Sequence, residues 1–212
     1  QLVGQRENVK IAPDFTNLLS GSVPNYFDQK QHQVCIVPNK RMIDKTQRKD
    51  AERYINFLSK SINLILEKKG LPFILIHGGD EDEEIAKRIL QGCKQDIEII
   101  VEDNPLYIKG IIGSSIGIIG SRFHSLVSAL SQSVPALGTG WSHKYERLFK
   151  DYNFEEGLLS VGVTDNELQR KLELILSKQM NSNIKSKLRI ASDRQKQIVS
   201  EMWDEVIEII HQ

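Results

Sequence analysis

The chain reads as an α/β protein with a Rossmann-like parallel sheet flanked by helices. Three observations predict this class. Short runs rich in Ile and Val, apolar on both faces, recur from residue 33 onward. Segments of helical periodicity lie between them, and Gly, Pro and Asn mark the junctions. Strands without polar alternation belong in a sheet buried on both sides, and alternation with helices makes that sheet parallel.

The elements follow in order. Asn8 to Asp14 reads as a short strand running into a break at Pro13. Residues 12–32 carry Pro13, Gly21, Pro24 and many Asn, Gln and Ser, the chemistry of a loop or linker. Val34-Cys35-Ile36-Val37 is a buried strand stopped by Pro38-Asn39. Over 48–69, Tyr54, Leu58, Ile62 and Ile65 fall on one helical face, and Gly70 and Pro72 end the helix. Phe73–Ile76 is the next strand, 81–91 a helix with Ile85, Ile89 and Leu90 inward, and Ile97–Val101 a third strand. A short helix over 105–112 precedes a fourth strand at Ile116–Ile119 and a helix over 122–132. Val134–Leu137 is a fifth strand, 143–151 a helix and Leu158–Val161 a sixth strand. Helices near 164–178 and 182–211 close the chain, the last with Leu188, Ala191, Ile198, Met202 and Val206 along one stripe.

Composition narrows the function. The 212 residues are 40% hydrophobic and 26% charged, enough apolar material for a real core. Lys plus Arg equals Asp plus Glu at 28 each, and the basic residues are interleaved with acids. No net field favours nucleic acid or an anionic membrane, so an anion site must be local. Apolar runs are short and broken by glycine, which predicts no membrane span. Cys35 and Cys93 stand far apart, so the expectation is a reducing cytosol rather than a disulfide framework. The chain opens at Gln1 without a methionine, which suggests a sequence beginning partway through a longer protein; a processed terminus is the alternative. The division expected is a remnant of an N-terminal domain and linker over 1–32, then the Rossmann-like domain over 33–212.

In such sheets ligands bind beyond the carboxyl ends of the strands, so the strand-to-helix turns are where chemistry is expected. His77-Gly78-Gly79-Asp80 leaves the second strand. Asp80 and Glu83 have the spacing of a capping box, and His77 either faces a ligand or is a partly buried polar residue. Gly120-Ser121-Arg122-Phe123-His124 leaves the fourth strand. Gly120 allows a tight turn and Ser121 is placed as an N-cap. The helix amides behind it would attract an anion, and a guanidinium adds a planar fork for carboxylate or phosphate. Cations at a helix start oppose its dipole, so a bound anion would compensate them. The bland reading is an arginine paired with a nearby acid and a structural histidine. Gly138-Thr139-Gly140-Trp141-Ser142-His143-Lys144 leaves the fifth strand as a binding rim, or as a flexible turn in which Ser142 caps a helix. No metal-ligand spacing, Walker sequence, Gly-x-Gly-x-x-Gly or Gly-x-Ser-x-Gly is present.

The stretch "IIGSRFHSLVSALSQSVPALGTGWSHKYERLFKDYNF" (118–154) resembles the C-terminal signature of the polysaccharide pyruvyl transferases. Gly120, Ser121, Arg122, His124, Val134, Pro135 and Lys144 match it; Trp141 stands where Tyr is usual and Phe123 where Leu or Ile is common. "IAPDFTNLL" (11–19) is similar to the family's Asp-x-x-Phe segment, although Phe15 follows Asp14 directly. "FILIHGGDEDEEIAKRI" (73–89) looks like its strand, histidine and acid-rich helix start.

The resemblance implies the C-terminal half of a glycosyltransferase-B-like (GT-B) two-domain enzyme, with the site in a cleft shared with an N-terminal domain of the same protein. It implies pyruvyl transfer from phosphoenolpyruvate onto a sugar as a ketal, in cytoplasmic steps of cell-surface polysaccharide synthesis. No cofactor or metal is required. The acceptor would be a sugar or a lipid-linked saccharide, which would bring the chain to a membrane surface only through that acceptor. Under this reading Arg122 with the Gly120–Ser121 amides holds a donor anion, and His124 is the acid catalyst or a phosphate contact. His143, Lys144 and His77 are further donor contacts, and Trp141 stacks on a sugar ring. Two other readings stay open. One is a GT-B glycosyltransferase domain using a sugar nucleotide, with Glu102 or Asp103 on the ribose diol. The other is a non-catalytic binding domain that docks a partner through the stripe carrying Trp203.

Overall fold

A computed structural model describes residues 9–211. Among these residues five strands, β1 (Val34–Val37), β2 (Pro72–Ile76), β3 (Ile99–Val101), β4 (Gly117–Gly120) and β5 (Ala136–Gly138), form one sheet in the order β3-β2-β1-β4-β5. Every pairing is parallel, with Val37 opposite Gly120 and Gly120 opposite Gly138. β1, β2, β4 and β5 are buried at every residue, which is why their sequences lack alternation.

Among the described residues eight α-helices accompany the strands: α1 (Arg41–Asp44), α2 (Arg48–Glu67), α3 (Asp80–Leu90), α4 (Pro105–Ser114), α5 (Phe123–Leu130), α6 (His143–Asp151), α7 (Asp165–Leu176) and α8 (Lys178–Ile210). α2 contacts α3 and α7, while α4 contacts α5, so the helices cover the sheet in two layers. The periodicity of α2 is realised: Tyr54, Leu58, Ile62 and Ile65 are each fully buried. Burying each such side chain stabilises by roughly 1.5–3 kcal/mol before chain entropy is charged against it. Asn104 caps α4 by accepting from the Leu106 amide at 2.9 Å, and Pro105 occupies the first helical position, where its missing N–H costs nothing.

Several sequence expectations are corrected. Residues 9–14 form no strand, and Asn8 lies outside the described residues. Ile11 is exposed there, with no neighbouring strand to take its backbone bonds. Leu158–Val161 makes only a single bridge, Leu158 to Gly138, because the chain turns away after one pairing. α1 was not expected, and α8 starts at Lys178, capped by Ser177, rather than near 182. The segment before β1 is fastened to the domain. Asn17 is buried and accepts from the Tyr152 hydroxyl at 3.1 Å, and Lys109 donates to the Thr16 carbonyl at 2.9 Å.

The strand order places a topological switch point between β1 and β4. From β1 the chain crosses to β2 on one side, and β4 lies on the other. The loops leaving β1 and β4 therefore diverge and open a crevice at the carboxyl edge of the sheet.

Candidate active site at the switch point

A cavity of about 460 Å³ occupies that crevice. Four strand ends build its wall: Asn39, Lys40 and Arg41 after β1; His77, Gly78 and Asp82 after β2; Arg122, Phe123 and His124 after β4; Trp141 and Lys144 after β5. Of the residues expected from sequence, His77, Arg122, His124, Trp141 and Lys144 converge here. Gly120, Ser121 and His143 do not line this cavity.

Arg122 is the N-cap of α5, with extended backbone, and its side chain folds back over the turn after β2. Nε donates to Asp82 Oδ2 at 2.7 Å, and Nη2 donates to the same oxygen. Asp82 is only 1% exposed, whereas the Arg122 side chain keeps 26% of its surface. Asp82 Oδ1 accepts from the Lys40 amide at 2.9 Å. One buried carboxylate thus ties together the loops after β1, β2 and β4. The bland expectation, an arginine paired with an acid, is realised, and so is the placement of that arginine on an open cavity. Asp82 stands between the two acids whose spacing reads from sequence as a capping box, and it holds a guanidinium. The expected Asp80–Glu83 capping box does not form, since the N-cap is Gly79 and it makes no side-chain cap bond. Gly78 is needed at the crossing, because a Cβ there would run into the Arg122 guanidinium and the Asp82 carboxylate.

Ser121 does not cap α5. It is fully buried, and its amide donates to the Val37 carbonyl at 3.1 Å, continuing the sheet. That amide is spent within the fold and is not free for an anion. The Ser121 hydroxyl lies 2.7 Å from Thr139 Oγ1 and accepts from the Tyr54 hydroxyl at 2.8 Å. The Ser121 carbonyl accepts from Asn39 Nδ2 and from the Tyr145 hydroxyl, both at 2.9 Å. Tyr54 in turn accepts from the Asn39 amide at 3.0 Å. This buried network, fully bonded, forms the floor under the cavity. Of its members only Tyr54 carries a periodic signature, and Asn39, Ser121 and Thr139 meet around it because β1, β4 and β5 are neighbours.

His77 is half-buried, with Nε2 2.6 Å from Ser125 Oγ. Burial, assisted by the Arg122 charge, pulls its pKa down to about 4, so the ring is neutral at physiological pH. His124 is mostly exposed at the rim, and Nε2 lies 3.3 Å from Asp14 Oδ2. The His124 bond, with the Thr16 hydroxyl and amide at 2.6 and 3.0 Å, holds the Asp14 carboxyl well below the usual carboxylate range despite partial burial. Lys144 Nζ sits 4.5 Å from the Phe123 ring centroid and 5.5 Å from that of Trp141. Among the described residues it makes no ion pair, whereas Lys40 pairs with Glu81 and Arg41 with Asp44. Glu102 stands at the end of β3, two strands from β1 on the outer edge, and accepts from the Asp103 and Asn104 amides and the Tyr26 hydroxyl.

A parallel sheet of this order, with an open cavity where the strand order diverges, defines a Rossmann-like α/β domain whose strand ends form the candidate site. Residues 2–143 match the family described as Polysaccharide pyruvyl transferase, and the chain belongs to that family. No curated protein and no solved structure matches the chain. Among the described residues no helix is long and apolar enough to cross a membrane.

Proposed function

We propose that this chain transfers the pyruvyl group of phosphoenolpyruvate to two hydroxyls of a saccharide, forming a cyclic ketal and inorganic phosphate, in cytoplasmic steps of cell-surface polysaccharide synthesis. The observation that carries the reading is the gathering of Arg122, Lys144, His124 and His77 around one switch-point cavity in a member of this family.

In the reaction, a proton adds to the methylene carbon of the donor, and positive character develops at the central carbon. One acceptor oxygen bonds there. The carbon–oxygen bond to phosphate breaks, and the second acceptor oxygen closes the ketal. One hydroxyl proton is balanced by the new methyl group and the other leaves with phosphate. The donor thus needs fixed positive charge, and charge developing on the leaving phosphate needs stabilisation.

Arg122 meets the first need through the guanidinium edge that Asp82 leaves free. Because Asp82 cancels much of its charge, Lys144 supplies the uncompensated cation. The neutral ring of His77 donates or accepts one hydrogen bond at the cavity floor without adding charge. His124 acts as the acid or the phosphate contact, oriented by Asp14 as a carboxylate orients an imidazole elsewhere. Trp141 offers a sugar-stacking face. In this reading the chain is the donor-binding half of a GT-B-like enzyme, residues 14–17 packing on that half itself, and an N-terminal domain of the same protein closes over the cavity and excludes water from His124. A lipid-linked acceptor would bring the protein to a membrane surface.

Calorimetry with phosphoenolpyruvate tests the anion site. Binding is expected for the wild-type chain, with at least a tenfold loss in Arg122→Ala. Unaltered binding by that variant refutes the assignment. In the full-length enzyme, phosphate released from phosphoenolpyruvate supports pyruvyl transfer, whereas nucleoside diphosphate released from a sugar nucleotide supports glycosyl transfer.

A further inference from the structure

Trp141 belongs to two cavities. One face of its surroundings opens on the switch-point cavity, and the other on a larger hollow of about 620 Å³ beyond β5. That hollow lies between the α1–α2 junction, the loop from Thr139 to Ser142, and residues 158–161. Of the donor contacts expected from sequence, His143 lines this hollow instead of the switch-point cavity, whereas Arg122, His77, His124 and Lys144 do not line it.

The walls have a mixed chemistry. Trp141 is half-buried and held in place: its ring is 5.1 Å from that of Tyr145, tilted by 59°, with Lys144 Nζ on the ring at 5.5 Å. Tyr145 is itself locked by its bond to the Ser121 carbonyl. The indole is therefore a fixed platform, which spares the entropy of ordering it on binding. Across the hollow stand Gln47 and the half-buried Asp50, neither of which makes a side-chain bond or ion pair among the described residues. The Ser142 hydroxyl is buried and has no hydrogen-bond partner among them. It caps nothing, although it occupies the N-cap position of α6. Unsatisfied buried hydroxyls are uncommon and call for a partner.

We infer that this hollow is the acceptor subsite and takes a neutral saccharide, with a sugar ring on Trp141. The inference rests on the pyruvyl-transfer reading for its meaning, since Trp141 borders both hollows and a saccharide stacked on it can extend past the indole edge to bring two hydroxyls against the donor. A saccharide suits the wall because every hydroxyl both donates and accepts. It gives to the Asp50 carboxylate and the Gln47 carbonyl, and it exchanges bonds with Ser142 and the Gln47 amide. A phosphate or a second carboxylate does not suit it, because the wall carries two carboxylates, Asp50 and Glu146, against the single ammonium of Lys45 and the imidazole of His143. An apolar ligand does not suit it either, because it would leave Asp50, Gln47 and Ser142 unpaired.

The test is retention of fluorescently labelled protein on an array of neutral glycans, with phosphoenolpyruvate calorimetry on the same preparations. The wild-type chain is expected to retain a subset of glycans. Asp50→Asn and Gln47→Ala should each weaken that retention at least tenfold while changing phosphoenolpyruvate affinity less than twofold. Arg122→Ala should do the reverse. No retained glycan, or retention unmoved by both Asp50→Asn and Gln47→Ala, overturns the acceptor subsite and leaves the anion site standing. Loss of phosphoenolpyruvate affinity in Asp50→Asn equal to its loss of glycan overturns the separation of the two cavities. Absence of phosphoenolpyruvate binding in the wild type, with glycans retained, instead removes the pyruvyl-transfer reading. A thermal melt of Asp50→Asn within a few degrees of wild type separates these outcomes from unfolding.

Discussion

The Arg122–Asp82 pair makes an asymmetric prediction about stability. Truncating Arg122 to Ala leaves a carboxylate with 1% of its surface exposed, bonded only to the Lys40 amide. Breaking a buried pair from that side costs about 3–5 kcal/mol. Truncating Asp82 instead leaves a guanidinium with 26% of its surface already exposed on an open cavity. It can turn toward water, so solvent screening cuts its penalty to about 1 kcal/mol. The orphaned Lys40 amide adds about 1–3 kcal/mol. Arg122→Ala should therefore be the more damaging single change, by about 1 kcal/mol or more. The double variant should cost less than the two singles summed, with a coupling of about 2 kcal/mol, because each single change strands the other's partner. Urea denaturation of the four proteins of the cycle measures this. The reasoning fails if Asp82→Ala is the more destabilising, or if the coupling is under about 0.5 kcal/mol.

Three further outcomes are expected. His77 has a folded pKa near 4 against an ordinary value of 6.5, so the unfolded chain binds the proton first as pH falls. Stability should be unaffected by His77 above about pH 6.5 and should fall between there and about pH 4, by up to about 3 kcal/mol, a loss that His77→Gln should abolish in pH-dependent melts. Gly79 has φ +82° and ψ −174°, a conformation essentially confined to glycine, so Gly79→Ala should cost about 1–3 kcal/mol by chemical denaturation even though open space awaits the methyl group. Tyr54→Phe should lose about 1–3 kcal/mol in the same assay, because the buried Asn39 amide loses its acceptor and Ser121 a donor; a change under about 0.5 kcal/mol would show that the floor network repacks.

The strands and most helices were legible because burial imposes a period. A strand with helices on both faces must be apolar at every position, so Val34–Val37 and Phe73–Ile76 announce themselves. The steps between Tyr54, Leu58, Ile62 and Ile65 follow from a helix turned toward a sheet. Where a segment lacks neighbours, that logic fails: Leu158–Val161 has strand composition but finds only one pairing. The parallel sheet and its flanking helices, and the neighbourhood of Arg122, were thus open to reading along the chain.

Strand order was not. Nothing along the sequence says that β4 inserts beside β1, and that adjacency alone makes the switch point. It turns Ser121, legible as a helix cap, into a core hydroxyl bonded to Tyr54 and Thr139. It brings Asp82 to Arg122, forty residues away, and so decides how much of that arginine's charge a ligand can feel. Local sequence fixes which backbone a residue prefers and whether it shuns water. Which charges cancel and which bonds are spent depends on contacts between distant segments, and those exist only once the sheet has closed.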